Sequence, residues 1–288
     1  MKEIKKVCVL GAGLMGRQIA LNTAQYDYEV TLYDSVPEAL QGGADWAEEY
    51  LAGRIKKGRM TEEQVAGIKK RFHPEADFEA AAKDADLVIE AIIEDEAIKR
   101  DAFKKLNATC SVDTIFATNS SRMVSSLFVD CVDNPARLAN LHYFNPAIVM
   151  ELTEVVSGEH TSMDTVEILM EFSRKTGKTP IWVRKELDGF IVNNIVTAVS
   201  RTGYGLVEGG YATPMEVDLG AEKGLNYPMG PFRMQDLTGI DLTYHIMERR
   251  YKESGEKPLG YDIVKEKYDK GEWGRKTGKG WYDYSDEK

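Results

Sequence analysis

The sequence predicts an α/β fold in which a doubly wound parallel sheet is followed by an all-α C-terminal domain. Three observations support this prediction. A strand, a glycine-rich turn and a helix open the chain, strand-like runs then alternate with helical stretches up to residue 183, and such runs stop beyond residue 190. Because 288 residues are too many for most single cores, we expect two domains, over residues 1–185 and 186–288.

The opening unit combines an apolar run at residues 7–10, the turn GAGLMG and a helical stretch over residues 14–25. Each glycine of this G-x-G-x-x-G has a physical role. Gly11 permits the tight turn, Gly13 lets the backbone approach a pyrophosphate, and Gly16 lets helix and strand pack closely. The helix N-terminus also offers free N–H groups to phosphates. The unit therefore predicts a Rossmann-like dinucleotide site.

A second strand at residues 29–33 ends at Asp34, where a carboxylate can accept ribose hydroxyls. The same carboxylate would repel a 2′-phosphate, and no arginine follows it closely, so we predict NAD rather than NADP as the cofactor. The cofactor-binding residues predicted in this unit are Gly11, Gly13, Leu14, Met15, Gly16 and Asp34.

The remaining elements are predicted from apolar periodicity and turn residues. The first domain is predicted to contain helices over residues 37–58, 61–70, 78–83, 95–106, 123–128 and 164–176, and strands over residues 86–92, 114–118, 137–141, 149–156 and 179–183. The first two helices are long for a crossover, so we expect this pair to protrude from the sheet. The second domain is predicted to contain helices over residues 190–208, 214–223, 231–251 and 261–270.

Composition limits the class of partner and the compartment. The net charge of −10 argues against nucleic acid, and no apolar run approaches the roughly 18–20 residues of a membrane span. The N-terminal residues are basic and then apolar, as in a signal peptide, but the apolar run is too short and already forms the predicted first strand. We therefore expect no targeting segment. Cys8, Cys110 and Cys131 fit no metal-binding pattern and suggest a reducing compartment, which indicates a cytoplasmic protein.

Hydride transfer at a nicotinamide needs a group that removes or returns a proton, and histidine suits this role. Of the four histidines, His142 directly follows a predicted strand, at the edge where parallel strands place ligand chemistry. Glu154 lies on the next strand in an apolar setting, and its carboxylate could fix the imidazole tautomer. The alternative for His142 is a purely structural role in the core.

Other polar groups have two possible roles each. Ser120 and Ser121 follow a strand, where a hydroxyl could contact nicotinamide and a substrate oxygen or could cap the next helix. Asn193 is polar within an apolar helical face, and it could serve the site or bond a neighbouring helix. The basic run at residues 54–59 could bind an anion or could be a solvated helix face.

Taken together, these segments resemble the 3-hydroxyacyl-CoA dehydrogenases, most of all the short bacterial 3-hydroxybutyryl-CoA dehydrogenases. The similarity covers nearly the whole chain, through GAGLMG, VIEAIIEDEAIK, FATNSS, LHYFNPAIVMELTEVV, GFIVNN, YPMGPFRMQDLTGIDL and GRKTGKGWYDY. It implies NAD-dependent oxidation of a short-chain (3S)-3-hydroxyacyl-CoA to a 3-ketoacyl-CoA, or the reverse. It also implies a homodimer formed through the C-terminal helical domain.

The resemblance implies roles for individual residues. His142 would be the general base and Glu154 its orienting partner, Ser121 would contact substrate oxygen and nicotinamide, and Asn193 would help polarise the forming carbonyl. The other cofactor contacts that it implies are Glu94, Lys99, Asn145 and Lys276. The CoA contact that it implies is Lys56 or Lys57.

Two departures from the family pattern bear on the substrate. The family usually has a lysine at the position of Glu151 and a small polar residue at the position of Arg122. An acyl group that carries its own charge is therefore one alternative, and a 3-hydroxy substrate without CoA is another. An alternative of a different class is a structural or regulatory protein that binds NAD without catalysis. The presence of all four residues with implied catalytic roles, His142, Glu154, Ser121 and Asn193, argues against it.

Overall fold

The structure, a computed structural model, describes residues 3–286 and divides into two compact units, the first ending at Ile191 and the second beginning at Val192. This division lies a few residues beyond the predicted border at 185/186. The strands of the first unit are β1 (Lys6–Leu10), β2 (Glu29–Tyr33), β3 (Phe72–Glu75), β4 (Leu87–Glu90), β5 (Ile115–Thr118), β6 (Leu138–Tyr143), β7 (Leu152–Val156) and β8 (Thr179–Val183). Its helices are α1 (Leu14–Ala24), α2 (Pro37–Lys56), α3 (Glu62–Arg71), α4 (Phe78–Ala82), α5 (Glu96–Thr109) and α6 (Met163–Lys175).

The eight strands form one sheet in the order β3-β2-β1-β4-β5-β6-β7-β8. All neighbouring pairs are parallel except β6 and β7, which are antiparallel. The order from β3 to β6 is that of doubly wound dinucleotide-binding sheets, in which the strand order reverses between β1 and β4. The predicted fold class, a doubly wound sheet followed by a helical domain, is confirmed.

Alternate residues of β1 enter two separate cores on opposite faces of the sheet. Val7 and Val9 join the larger core, which includes α1, whereas Cys8 and Leu10 join a second core with Phe103 of α5. This is the two-residue period of a strand buried on both faces. Burying an apolar side chain of this size contributes about 1.5–3 kcal/mol to stability. The strands that carry the site are therefore held between two well-packed cores.

Helices α2 and α3 form the crossover from β2 to β3, an edge strand that the sequence analysis did not predict. Their inner faces join the larger core through Leu40, Ala47, Leu51, Val65 and Ile68. Lys56 and Lys57, at the far end of α2, are exposed. Strand β3 escaped prediction because it is only four residues long and contains Pro74, which is tolerated only at a sheet edge.

Several elements of the first unit differ from their predicted bounds. Strand β6, predicted over residues 137–141, extends to Tyr143 and so contains His142, which was expected to follow the strand. The region predicted as a helix over residues 123–128 forms a 3₁₀ helix, Ser125–Cys131, and the strand predicted from residue 149 begins at Leu152. The preceding segment is held in a turn by Lys178, whose buried Nζ donates to Ala147 O over 2.6 Å and to Met150 O over 2.9 Å. These contacts direct the backbone away from the sheet before β7 begins.

The second unit contains α7 (Val192–Glu208), α8 (Pro214–Leu219), α9 (Pro231–Thr238), α10 (Ile240–Ser254) and α11 (Tyr261–Asp269). The helix predicted over residues 231–251 is divided at Gly239, which has a φ of +105° and separates α9 from α10. Buried Asp236 accepts hydrogen bonds from the backbone N–H groups of Trp281 and Tyr282 and so fixes the C-terminal segment. Within residues 3–286, no helix has the length and apolar character of a membrane span.

His160 joins three segments of the first unit and should make stability depend on pH. Its Nε2 lies 3.2 Å from Ser125 Oγ, which donates to Glu186 Oε1 over 2.9 Å. Burial lowers the pKa of His160, although the Glu186 carboxylate opposes this effect. The unfolded chain therefore binds this proton first, near pH 6.5, and stability is lost as the pH falls from about 7 towards the lower folded pKa.

We expect the melting temperature of the wild-type protein to fall more steeply between about pH 7 and pH 5 than that of His160→Gln, which has no titrating group at this position. Calorimetric melting across this range tests the prediction. Parallel declines in the two proteins would show that His160 does not contribute.

Candidate active site

Two glycines of the turn after β1 leave no room for a side chain. Gly11 has a φ of +100°, and a Cβ there would lie 2.5 Å from Ala91 O. A Cβ on Gly16 would lie 1.7 Å from Gly11 O. Gly13 instead faces open space and starts α1 without a side-chain cap. The N–H groups at the start of α1 are therefore open to an anion such as a pyrophosphate.

Asp34 completes this turn from the carboxyl end of β2. Its Oδ2 accepts a hydrogen bond from Ala12 N over 2.8 Å, and its Oδ1 accepts one from Val36 N over 2.9 Å. The two bonds fix the carboxylate beside the glycine turn, where the adenosine ribose of a dinucleotide would lie. The residues of this region thus fit both the pyrophosphate and the ribose of NAD.

Strands β6 and β7 bring His142 and Glu154 directly opposite each other in the antiparallel register. His142 Nδ1 lies 2.8 Å from Glu154 Oε2. The glutamate is fully buried, and 6% of the histidine surface is exposed. Because a carboxylate only accepts, Nδ1 carries the proton and Nε2 of the neutral ring keeps its lone pair. The arrangement is that of a base with an orienting acid.

The last turn of the first unit encloses this pair. Ile191 N donates to Glu154 Oε1 over 2.9 Å, and the ring of buried Phe190 lies 5.5 Å from the imidazole. Phe190 has a φ of +50°, which is rare for a bulky side chain and persists where the surroundings fix it. On another side Phe144 approaches the imidazole edge-on at 4.6 Å. Phe190 and Ile191 were not predicted as site residues, because they lie beyond the predicted domain border at 185/186, whereas the first unit extends to Ile191.

An ion-pair network with a buried lysine and a buried glutamate lies at the carboxyl end of β4. Lys99 Nζ is 2.5 Å from Glu90 Oε1 and 3.2 Å from Glu94 Oε2, with only 1% of the lysine side chain exposed. Glu94 also accepts a hydrogen bond from Ser120 Oγ. Lys99 and Glu94 were implied by the resemblance, whereas Glu90 was missed. A glutamate inside the apolar run 86–92 was the signal that could have identified it.

The two neighbouring serines after β5 have different environments. Ser120 Oγ accepts hydrogen bonds from Met123 N over 2.8 Å and from Arg122 N over 3.2 Å, so Ser120 is the one that caps the turn. Ser121 is half-buried, and within the described part of the chain its hydroxyl makes no hydrogen bond. The hydroxyl proposed for substrate contact is therefore not used for capping.

Asn140 fixes the turn that carries both serines, and the sequence analysis missed it. Its Oδ1 accepts from Ser125 N over 2.8 Å, and its Nδ2 donates to Met123 O over 2.9 Å and to Ser120 O over 3.2 Å. The polar side chain is fully buried on β6, two residues before His142. An asparagine inside an apolar strand was the available signal.

Of the other predicted site residues, Asn145 belongs to the first unit, whereas Asn193 and Lys276 belong to the second. Asn145 is exposed after β6, in a cis peptide bond with Pro146. Asn193 is the second residue of α7, and Lys276 Nζ lies 2.6 Å from Asp241 Oδ2 within the second unit. A search of residues 3–286 finds no group of three or more His, Cys, Asp or Glu side chains that could hold a metal ion.

Comparison with known proteins identifies the family. Residues 6–187 match the 3-hydroxyacyl-CoA dehydrogenase NAD binding domain, and residues 189–284 match the 3-hydroxyacyl-CoA dehydrogenase C-terminal domain. The chain belongs to the 3-hydroxyacyl-CoA dehydrogenase family. This dehydrogenase is 35% identical to a probable 3-hydroxybutyryl-CoA dehydrogenase of Bacillus subtilis (strain 168), over 99% of each chain.

Further relatives agree with this assignment. A 3-hydroxybutyryl-CoA dehydrogenase of Clostridioides difficile is 34% identical over 97% of this chain and 99% of its own length. The crystal structure of (S)-3-hydroxybutyryl-CoA dehydrogenase from Ralstonia eutropha is 32% identical and matches with a TM-score of 0.89, covering 98% of this chain and 99% of that chain. The predicted family, enzyme class and cofactor are confirmed, and this dehydrogenase is an NAD-dependent oxidoreductase acting on 3-hydroxyacyl-CoA.

Proposed function

We propose that the enzyme interconverts a short-chain (3S)-3-hydroxyacyl-CoA, such as 3-hydroxybutyryl-CoA, and its 3-ketoacyl-CoA, with His142 and Glu154 as the acid–base pair. The observation that carries the proposal is the 2.8 Å contact between His142 Nδ1 and Glu154 Oε2 at the carboxyl end of β6. The names of the two relatives at 34–35% identity support a short acyl chain.

Bound NAD supplies the acceptor of the hydride. In oxidation, His142 Nε2 takes the proton of the substrate 3-hydroxyl, and Glu154 stabilises the imidazolium that results. In reduction, the imidazolium returns the proton to the same oxygen. Hydrogen bonds from Ser121 and Asn193 to this oxygen would strengthen as negative charge develops there, which lowers the barrier. The rings of Phe144 and Phe190 exclude water from the imidazole.

The cofactor contacts are also a proposal, supported by the open glycine turn and the fixed Asp34 carboxylate. The residues that we propose to contact NAD are Gly11, Gly13, Leu14, Met15, Gly16, Asp34, Glu94, Ser121, Asn145 and Lys276. Lys99 is enclosed by Glu90 and Glu94, so we propose that it acts on the cofactor through Glu94. For CoA we propose Lys56 or Lys57, whose side chains are exposed.

The test is NADH oxidation with acetoacetyl-CoA beside the same assay with acetoacetate, which lacks CoA. We expect rapid turnover with the thioester and little with the free acid, because much of the binding energy comes from the CoA part of the substrate. Equal turnover with both would favour a 3-hydroxy substrate without CoA. Protein that binds NADH but turns over neither compound would contradict the proposal.

A charged acyl group is the second candidate, and Arg122 favours it. This half-buried arginine directly follows Ser121, the proposed substrate contact. A 3-hydroxyadipyl-CoA dehydrogenase of Escherichia coli (strain K12) is 34% identical over the whole of this chain and 61% of its own length. A kcat/KM for 3-ketoadipyl-CoA above that for acetoacetyl-CoA would establish this candidate, and Arg122→Ser should then abolish the difference.

We propose a homodimer formed through the second unit, in the cytoplasm. The second unit exposes large apolar side chains, whose burial in a dimer would be favourable. They include Ile195, Leu206, Met215, Leu225 and Leu242. Sedimentation equilibrium should give twice the chain mass of 32.3 kDa, and a monomer at micromolar concentration would contradict the dimer. The three cysteines are unpaired, in keeping with a reducing compartment.

A further inference from the structure

We propose that Glu90, Lys99 and Glu94, here called the β4 charge network, make the cofactor site prefer the positively charged nicotinamide of NAD+ over the neutral ring of NADH. The proposal rests on the proposed function, because it takes the nicotinamide to lie over the carboxyl ends of β4 to β6. It assigns to Glu90 a positioning role that acts through charge.

The β4 charge network contains one ammonium between two carboxylates. Lys99 Nζ contacts Glu90 Oε1 at 2.5 Å and Glu94 Oε2 at 3.2 Å. Among the residues that the structure describes, no second cation forms an ion pair with either glutamate. Glu90 is fully buried, and it also accepts hydrogen bonds from Thr118 Oγ1 over 2.6 Å and from Ile92 N over 2.8 Å, so both of its oxygens act as acceptors. The network therefore carries one uncompensated negative charge.

This charge lies on the nicotinamide side of the predicted cofactor site. Asp34, at the end of β2, marks the adenosine half, so the other half of the dinucleotide extends over β4, β5 and β6. Glu94 accepts a hydrogen bond from Ser120 Oγ, which places its carboxylate next to the serine turn at the end of β5. The backbone at Ala91, one residue after Glu90, is the surface against which Gly11 packs.

NAD+ and NADH differ in charge only at the nicotinamide ring, so a fixed negative charge nearby stabilises bound NAD+ relative to bound NADH. Water and salt screen a buried carboxylate such as Glu90 much less than an exposed one. Stability alone gives a weak reason for burying Glu90, because a buried ion pair stabilises a fold no better than apolar residues of similar size. Without Glu90, Lys99 and Glu94 would form a neutral pair, and the preference would be lost.

The test is Glu90→Gln, which removes the charge and retains the shape and one acceptor oxygen. Dissociation constants for NAD+ and for NADH are measured by isothermal titration calorimetry without acyl-CoA. We expect the ratio of the NAD+ constant to the NADH constant to rise by about threefold to tenfold, the effect of one nearby charge in a partly screened site. An unchanged ratio in a folded variant overturns the proposal.

Thr118→Val is the matched control, since it removes a hydrogen bond to Glu90 without changing the charge. Its ratio should remain that of the wild type, and a rise as large as that of Glu90→Gln would overturn the proposal. If Glu90→Gln does not fold, Glu94→Gln replaces the exposed carboxylate of the same network, and its ratio must rise in the same direction. If the wild type turns over acetoacetyl-CoA and the ratio in Glu90→Gln is unchanged, this inference alone is rejected. If the ratio rises in Glu90→Gln but the wild type does not turn over acetoacetyl-CoA, only the proposed function is rejected.

Discussion

Replacing His142 by glutamine is expected to lower kcat by about 10²–10⁴-fold, the usual contribution of a positioned general acid or base. The amide of glutamine can reach Glu154, but it cannot take a proton from the substrate hydroxyl. In the proposed mechanism His142 acts on the reacting oxygen and not on the CoA part, so KM for acetoacetyl-CoA should change much less than kcat. Steady-state NADH oxidation with acetoacetyl-CoA gives both constants.

His73 provides a matched control for this substitution. Its Nε2 also contacts a glutamate, Glu29 Oε2 at 3.0 Å, but both side chains are about half exposed, and His73 lies on β3, the edge strand of the sheet. His73→Gln should therefore keep near-normal turnover. Near-normal turnover in folded His142→Gln would show that another group moves the proton.

The parts of the fold and site that could be predicted are those with local signals. The strand, the glycine turn and the helix at the start of the chain lie within one short segment, and each glycine is required by the geometry of that segment. His142 was predicted as the base because it follows the run predicted as a strand over residues 137–141, and parallel strands bring their carboxyl ends to one edge. The structure instead places His142 inside β6, one residue before the end of that strand. Glu154 was predicted as its partner because it lies on the next predicted strand, beyond a turn that contains Asn145 and Pro146. The antiparallel pairing of β6 and β7, which places the two residues opposite each other, was not predicted.

The parts that could not be predicted depend on contacts between distant segments. Ile191 reaches Glu154 across 37 positions of sequence, and no periodicity or turn signal connects them. Phe190 needs a positive φ that its residue type does not suggest. For Glu90, unlike Phe190 and Ile191, the sequence does carry a signal, because a glutamate in a buried strand needs a partner. It does not show that this partner is Lys99 on the next helix.

Glu154→Gln is the other substitution with a large expected effect, and the reason is the set of donors around the carboxylate. Its two oxygens accept from Ile191 N and from His142 Nδ1. A glutamine offers one accepting oxygen and one donating amide. If the oxygen stays with Ile191, the amide donates to Nδ1, and the proton of the neutral imidazole moves to Nε2. The nitrogen that should accept the substrate proton is then already protonated, so kcat should fall by about 100-fold or more.

Glu151→Gln is the control, because Glu151 is exposed on the same segment and should change acetoacetyl-CoA turnover little. If Glu154→Gln lowers the melting temperature but keeps turnover, the carboxylate only anchors Ile191 and is not part of the acid–base pair. The double variant His142→Gln/Glu154→Gln separates these cases further. Residues that act as one unit are strongly non-additive, so its kcat should stay near that of His142→Gln alone, whereas independent roles would multiply the two losses.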